Sequence, residues 1–157
     1  YEKTVKVAPP EAVSPEIVKP FKPLKLDYYE VEALPANHAH SEECLLYVIS
    51  IGDVSVFYGH DSGWYPEATW EYLKDFYINL AIFDCTFGGI DQRKGHMGIQ
   101  AITEAKGILE KYGSIDSRSI CVATHFSHNG GLLYDELVER LNPYGLLVAY
   151  DGMVLYI

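Results

Sequence analysis

The stretch Ile78–Phe87, INLAIFDCTF, is a nearly continuous apolar run of strand length that closes on Asp84, Cys85 and Thr86. Such a run, rich in branched and aromatic side chains, reads as a strand covered on both faces. A Gly-rich loop follows from Gly88 to Gly95. From about Met97 to Tyr112 the apolar residues Ile99, Ile102, Ala105, Ile108 and Leu109 then recur on one helical face. Gly113 stands where a left-handed C-cap belongs. SICVATHF (Ser119–Phe126) is a second buried strand, LLYDELVERLN (Leu132–Asn142) a second helix, and GLLVAYDG and MVLYI two short terminal strands. Strands alternating with helices in this way predict a layered α/β domain.

Upstream of Ile78 the pattern is different. LDYYEVEAL, from Leu26, alternates apolar and polar residues and gives way to Pro35-Ala36-Asn37-His38. CLLYVIS and VSVFYGH pair across Ile51-Gly52-Asp53, a short hairpin loop. Pro66 opens the helix PEATWEYLKDF, where its missing N–H does no harm. Residues 1–25 stand apart: a strand candidate at Thr4–Ala8 leads into Pro9, Pro10, Pro15, Pro20 and Pro23, a density that forbids a regular helix or central strand. They read as a connector or edge segment, with 26–157 as the folded part.

The chain has 157 residues, 48% of them hydrophobic, enough for one domain with a sizeable core. A formal charge of −10, with no Lys/Arg cluster, argues against a nucleic-acid partner. No apolar run is long enough to cross a bilayer, and YEKTVKVAPPEAV lacks the pattern of a signal peptide, so no membrane partner and a cytoplasmic location are expected. Cys44, Cys85 and Cys121 lie in or beside strand runs without a CxxC spacing, and read as reduced core residues.

Three strand-like runs end on metal-ligand residues: VEALPANH on His38, VSVFYGHD on Asp61 and SICVATH on His125. Strand ends can converge at one sheet edge although distant in sequence, and two imidazoles with a carboxylate suit zinc, manganese or iron. A single carboxylate at Asp61 can also bridge two cations. His38 is read as the ligand and His40 as a loop residue, because HAHSEE runs straight into a strand and lacks the Asp and His of an HxHxDH motif. In Gly59-His60-Asp61-Ser62-Gly63, Asp61 rather than Ser62 holds the middle place, so a nucleophile elbow is not formed. Taken alone, Asp61 would read rather as an Asx turn, bonding the backbone of the turn that follows. His96, between the Gly-rich loop and a helix, could orient a phosphate or protonate a leaving oxygen. Asp84 and Thr86 are placed on the same rim. Ser127 and His128, in the polar cluster Thr124–Gly131, are read as substrate-binding or supporting residues.

Together ALPANH, YGHDSGWYPE, LAIFDCTFGG with GHMGIQ, and ATHFSHNGG with VAYDGM resemble the C-terminal half of a metallo-β-lactamase-fold hydrolase. The likeness is to the branch typified by phosphoribosyl 1,2-cyclic phosphate phosphodiesterase, and it covers roughly Leu26–Ile157. It implies half of an αββα sandwich, a mixed sheet with helices on its outer face. It also implies a two-metal site, with Zn or Mn, in which His38, Asp61 and His125 are ligands and His96 is the general acid. The implied substrate is a small-molecule phosphodiester. The HxHxDH motif that supplies the family's other ligands is absent from these residues, so the chain alone is expected to be a fragment of such an enzyme. The alternatives are a non-catalytic fragment or single-metal module, and a thioester or lactone hydrolase of the same superfamily. A half sandwich leaves an apolar sheet face bare, and self-association is expected from it.

Overall fold

Antiparallel pairing builds one half of the sheet and parallel pairing the other. The structure, a computed structural model, describes residues 17–39 and 41–157; the Thr4–Ala8 strand candidate, the first three prolines and His40 lie outside them. Seven strands run in sequence order across the sheet. They are β1 (Leu24–Leu26), β2 (Tyr29–Pro35), β3 (Leu45–Ile51), β4 (Val54–Gly59), β5 (Leu80–Asp84), β6 (Ile120–Thr124) and β7 (Leu146–Val148). The first three pairings are antiparallel and the last three parallel. The parallel steps are bridged by α1 (Glu67–Leu73), α2 (Ile99–Tyr112) and α3 (Tyr134–Leu141). Among the described residues no helix is long and apolar enough to cross a membrane.

The α/β class and the mixed sheet are as expected, with two local differences. LDYYEVEAL is two strands, because Asp27 adopts φ 53° and turns the chain between β1 and β2. MVLYI is not a strand: after β7 the chain turns at Gly152, φ 87°, and brings Met153 and Leu155 beside Tyr58, Ile82 and Val122. The helix α2 begins at Ile99, after the extended Gly98, and ends at Gly113 in the left-handed conformation expected of it.

Topology decides where the core lies. From β4 to β7 each crossover steps to the next position in the same direction. Right-handed crossovers of that kind put every helix on one face of the sheet. That face carries Leu34, Leu46, Val48, Phe57, Ala81, Phe83, Cys121, Ala123, Leu146 and Val148, which bury against Trp70 and Leu73 of α1, Ala105 and Leu109 of α2, and Leu137 and Leu141 of α3. Each fully buried large side chain, such as Phe83 or Leu109, contributes roughly 1.5–3 kcal/mol by leaving water. Cys85 and Cys121 are buried and Cys44 partly so; burial pushes the two inner thiols up to about 12 and about 11.

Strand alternation sends Val31, Tyr47, Ile49, Val56, Tyr58, Ile82, Val122 and Leu147 to the opposite face. No charged residue stands among them, yet Tyr58 is 38% and Leu147 41% exposed. An apolar face of this extent is normally covered. The 157-residue chain by itself is therefore expected to self-associate, and Ile49→Lys with Val56→Lys should return it to monomer in size-exclusion chromatography. A monomeric unsubstituted chain at tens of micromolar would show that the face tolerates water.

Candidate metal centre

Because β4, β5 and β6 are parallel, their C-terminal ends lie at one edge, where open α/β sheets bind ligands. Gly59 pairs with Phe83 and Asp84 with Thr124. The residues leaving these ends, Asp61, Asp84 and His125, thus start as neighbours. Asp61 and His125 both take left-handed backbone angles, φ 60° and 64°. That costs a non-glycine residue about 1–2 kcal/mol, so the turn that aims these side chains is held under strain.

Backbone contacts seal the loops around this edge. Asn37 N–H donates to Ser62 Oγ at 3.0 Å, and its amide donates to Trp64 O at 3.1 Å. Gly63 N–H donates to Asn37 O at 2.8 Å, and Trp64 N–H to Arg93 O at 2.7 Å. Gly63 must be glycine, since a Cβ there would stand 2.4 Å from Arg93 O. Gly98 is equally constrained: its Cβ would stand 1.9 Å from Ile90 O, closing the loop that carries His96. Ser62 is fully buried and used in this stitching, which agrees with its exclusion as a nucleophile.

Asp84 is the anchor. It is fully buried, and its Oδ1 accepts from Thr86 N–H at 3.0 Å and Met97 N–H at 3.2 Å. Its Oδ2 lies 2.8 Å from His96 Nδ1 and 3.0 Å from His125 Nδ1. Burial acts to raise the carboxyl pKa, but the hydrogen bonds from Thr86, His96 and Met97 outweigh it and hold the group below its ordinary value. A carboxylate only accepts, so it draws Nδ1–H from both rings and leaves each Nε2 free. Thr86 Oγ1, at 3.2 Å from His96 Nδ1 and 2.8 Å from His125 Nδ1, shares the same junction.

Asp61 Oδ1 faces three imidazoles at once. Nδ1 of His96, His38 and His125 lie 3.5, 3.6 and 3.9 Å from it. These gaps exceed hydrogen bonds, and they gather the three rings around one carboxylate. One donor atom each from Asp61, Asp84, His96 and His125 falls within 4.8 Å of every other. The donor chemistry and spacing therefore fit a divalent cation. His38 borders this set: its Nδ1 donates to Gly95 O at 2.9 Å, and its ring meets His96 edge-on at 4.7 Å.

Of the residues singled out from sequence, His38, Asp61, Asp84, Thr86, His96 and His125 are brought together. Ser127 and His128 are not. Ser127 Oγ accepts Asn129 N–H and caps the short turn His128–Gly130, on which His128 is exposed. The sequence reading passed over His60, whose ring stacks on Tyr58 at 5.1 Å and meets His125 edge-on at 4.3 Å. Burial foremost, then the neighbouring His125, lowers its pKa against the pull of Asp61 and Asp84. Asn37, within ALPANH, is a further residue of this edge. Its proline-bounded place before His38 is the one signal that it organises the loop.

A profile of the beta-lactamase superfamily domain matches residues 2–126, most of the chain, and the chain belongs to that family. Among solved structures, the metallo-beta-lactamase fold protein YhfI from Bacillus subtilis matches with a TM-score of 0.69 and 19% identity, over 97% of this chain and 59% of that one. An isothiocyanate hydrolase from Delia radicum gut bacteria gives 0.64 and 13%, over 90% and 59%. A diphosphatase from the PhnP family gives 0.54 and 21%, over 84% and 44%. At these identities the likeness is one of fold, and the chain spans less than two thirds of each of these proteins. No curated protein matches.

Asp84→Asn should be costly, since an amide nitrogen would confront donors that now meet a carboxylate. Removing one side of a buried, hydrogen-bonded charge costs about 3–5 kcal/mol. Urea unfolding in a chelator, compared with the unsubstituted chain, measures it, and a loss below about 1 kcal/mol would contradict the anchoring role.

Proposed function

We propose that these residues form the metal-holding part of a hydrolase that cleaves a small phosphodiester. The observation that carries the proposal is the cluster of one donor atom each from Asp61, Asp84, His96 and His125 within 4.8 Å of one another, with the His38 ring beside Asp61. His38, Asp61 and His125 would hold the cation, and two nitrogens with a carboxylate suit Zn or Mn. When bound, the cation supplies positive charge for the phosphoryl oxygens and makes water acidic enough to attack near neutral pH. Donors for a second cation would come from residues outside this cluster.

The chain's own side chains have distinct tasks. Asp84 fixes the orientation of His96 and His125 through Nδ1. In its imidazolium form, with Nδ1–H held by Asp84 and Thr86, His96 carries a second proton on Nε2 to release at the departing oxygen. Lys94 and Asn37 line a cavity of about 360 Å³ with His38 and Gly95, where a cationic side chain suits an anionic phosphoryl group. The PhnP-family diphosphatase among the fold's likenesses acts on phosphorus, which supports this reading, while the isothiocyanate hydrolase shows that the fold serves other chemistry.

The assay is turnover of bis(4-nitrophenyl) phosphate by the natural protein that carries these residues, stripped with a chelator and reloaded with Mn²⁺ or Zn²⁺. Metal-dependent turnover is expected, falling at least 100-fold in His96→Ala, consistent with the usual size of general acid catalysis. Turnover of a thioester or lactone in its place would move the protein to another branch of the superfamily. A second reading, a non-catalytic module for one cation, draws on the single compact donor set. Calorimetric titration of the 157 residues with Zn²⁺ is expected to show one equivalent; two tightly bound would remove that reading.

A further inference from the structure

A second cavity, of about 380 Å³, flanks the cluster on the side of His125 and is lined by His60, Thr124, His125, Phe126, Ala149, Tyr150 and Asp151. It differs from the cavity beside His38 in two respects. The charged side chain there is Lys94, whereas here it is Asp151, so an anionic group is favoured on the first flank and opposed on the second. The second is also walled by three non-ligand rings, His60, Phe126 and Tyr150. His60 is clamped between Tyr58, stacked at an interplanar angle of 19°, and His125, edge-on at 62°. Neither of its ring nitrogens hydrogen-bonds to another described residue, so the ring is packed in place yet free to meet a ligand.

We propose that this cavity holds the departing group, that it takes an uncharged planar aromatic alcohol, and that His60 sets the preference. Stacked and edge-on ring contacts reward a flat aromatic partner over an alkyl group of the same charge. For the phosphoryl end the inference rests on the phosphodiester reading given above. Water oxygen would bond to phosphorus and the phosphorus–aryl oxygen bond would break. The aryl oxygen would take the Nε2 proton of imidazolium His96, and the proton lost by the attacking water would restore it, giving a phosphomonoester and a phenol. The phosphoryl charge would lie towards His38 and Lys94, and the ring against His60, Phe126 and Tyr150.

Equilibrium binding separates this subsite from the reaction. Phenyl phosphate and methyl phosphate are compared by calorimetry on the Mn²⁺-loaded protein, and benzoate and acetate form a second pair without phosphorus. The aryl member of each pair should bind at least tenfold tighter. His60→Ala should remove most of that preference while Mn²⁺ and methyl phosphate affinities stay within twofold, and His60→Phe, which keeps a ring, should retain it. Tyr150→Ala, at a residue 58% exposed and so tolerant of truncation, should also weaken the preference. Equal affinity within both pairs, or a preference unchanged in His60→Ala and Tyr150→Ala, overturns the subsite. Benzoate preferred over acetate with neither phosphate bound upholds the subsite and rejects the phosphodiester reading. Both phosphates bound alike, with no benzoate preference, does the reverse.

Discussion

The site depends on one buried carboxylate. Asp84 closes β5, and its two oxygens meet Thr86 N–H, Met97 N–H and the Nδ1 atoms of His96 and His125. Those four donors come from the end of β5, the approach to α2 and the end of β6. A desolvated charge is tolerable only when its hydrogen-bonding capacity is filled, and here filling it is what draws three chain segments together. Asp61, on the solvent side, then has two oriented rings to face rather than two mobile ones.

The crossover rule sets the scale above this. Four parallel strands advancing in one direction fix the helices on a single face and deliver their C-terminal ends to a single edge. One constraint thus explains both the convergence of Asp61, Asp84 and His125 and the apolar face that the helices leave uncovered. The crossovers decide which face the helices cover, and the side chains of that strand order decide what the other face presents.

Much of this was legible in the sequence. Apolar runs that stop abruptly on Asp or His showed which strands end at a common edge, and the helical period of Ile99–Leu109 showed what separates them. The turn at Asp27 was not legible, since a left-handed aspartate leaves no trace in an alternating pattern such as LDYYEVEAL. MVLYI has the composition of a strand but is turned away at Gly152. Asp84 was placed only on the rim, because spacing does not reveal that a carboxylate will be sealed beneath two imidazoles. His60 was hidden by its more informative neighbour Asp61. Ser127 and His128 stand apart from the cluster: polar residues after a buried strand also serve to cap a turn.

The left-handed backbone at Asp61 and His125 has a consequence of a different kind. Glycine would suit those angles better, and it would remove the donor that each position presents. The residue that best fits the chain path and the residue that best fits the cluster are therefore not the same. In a lineage released from any demand on the site, drift towards the more comfortable residue would be rewarded with added stability. Aspartate at 61 and histidine at 125 thus hold these positions at some cost in backbone comfort, and the cluster gains the groups that glycine could not supply.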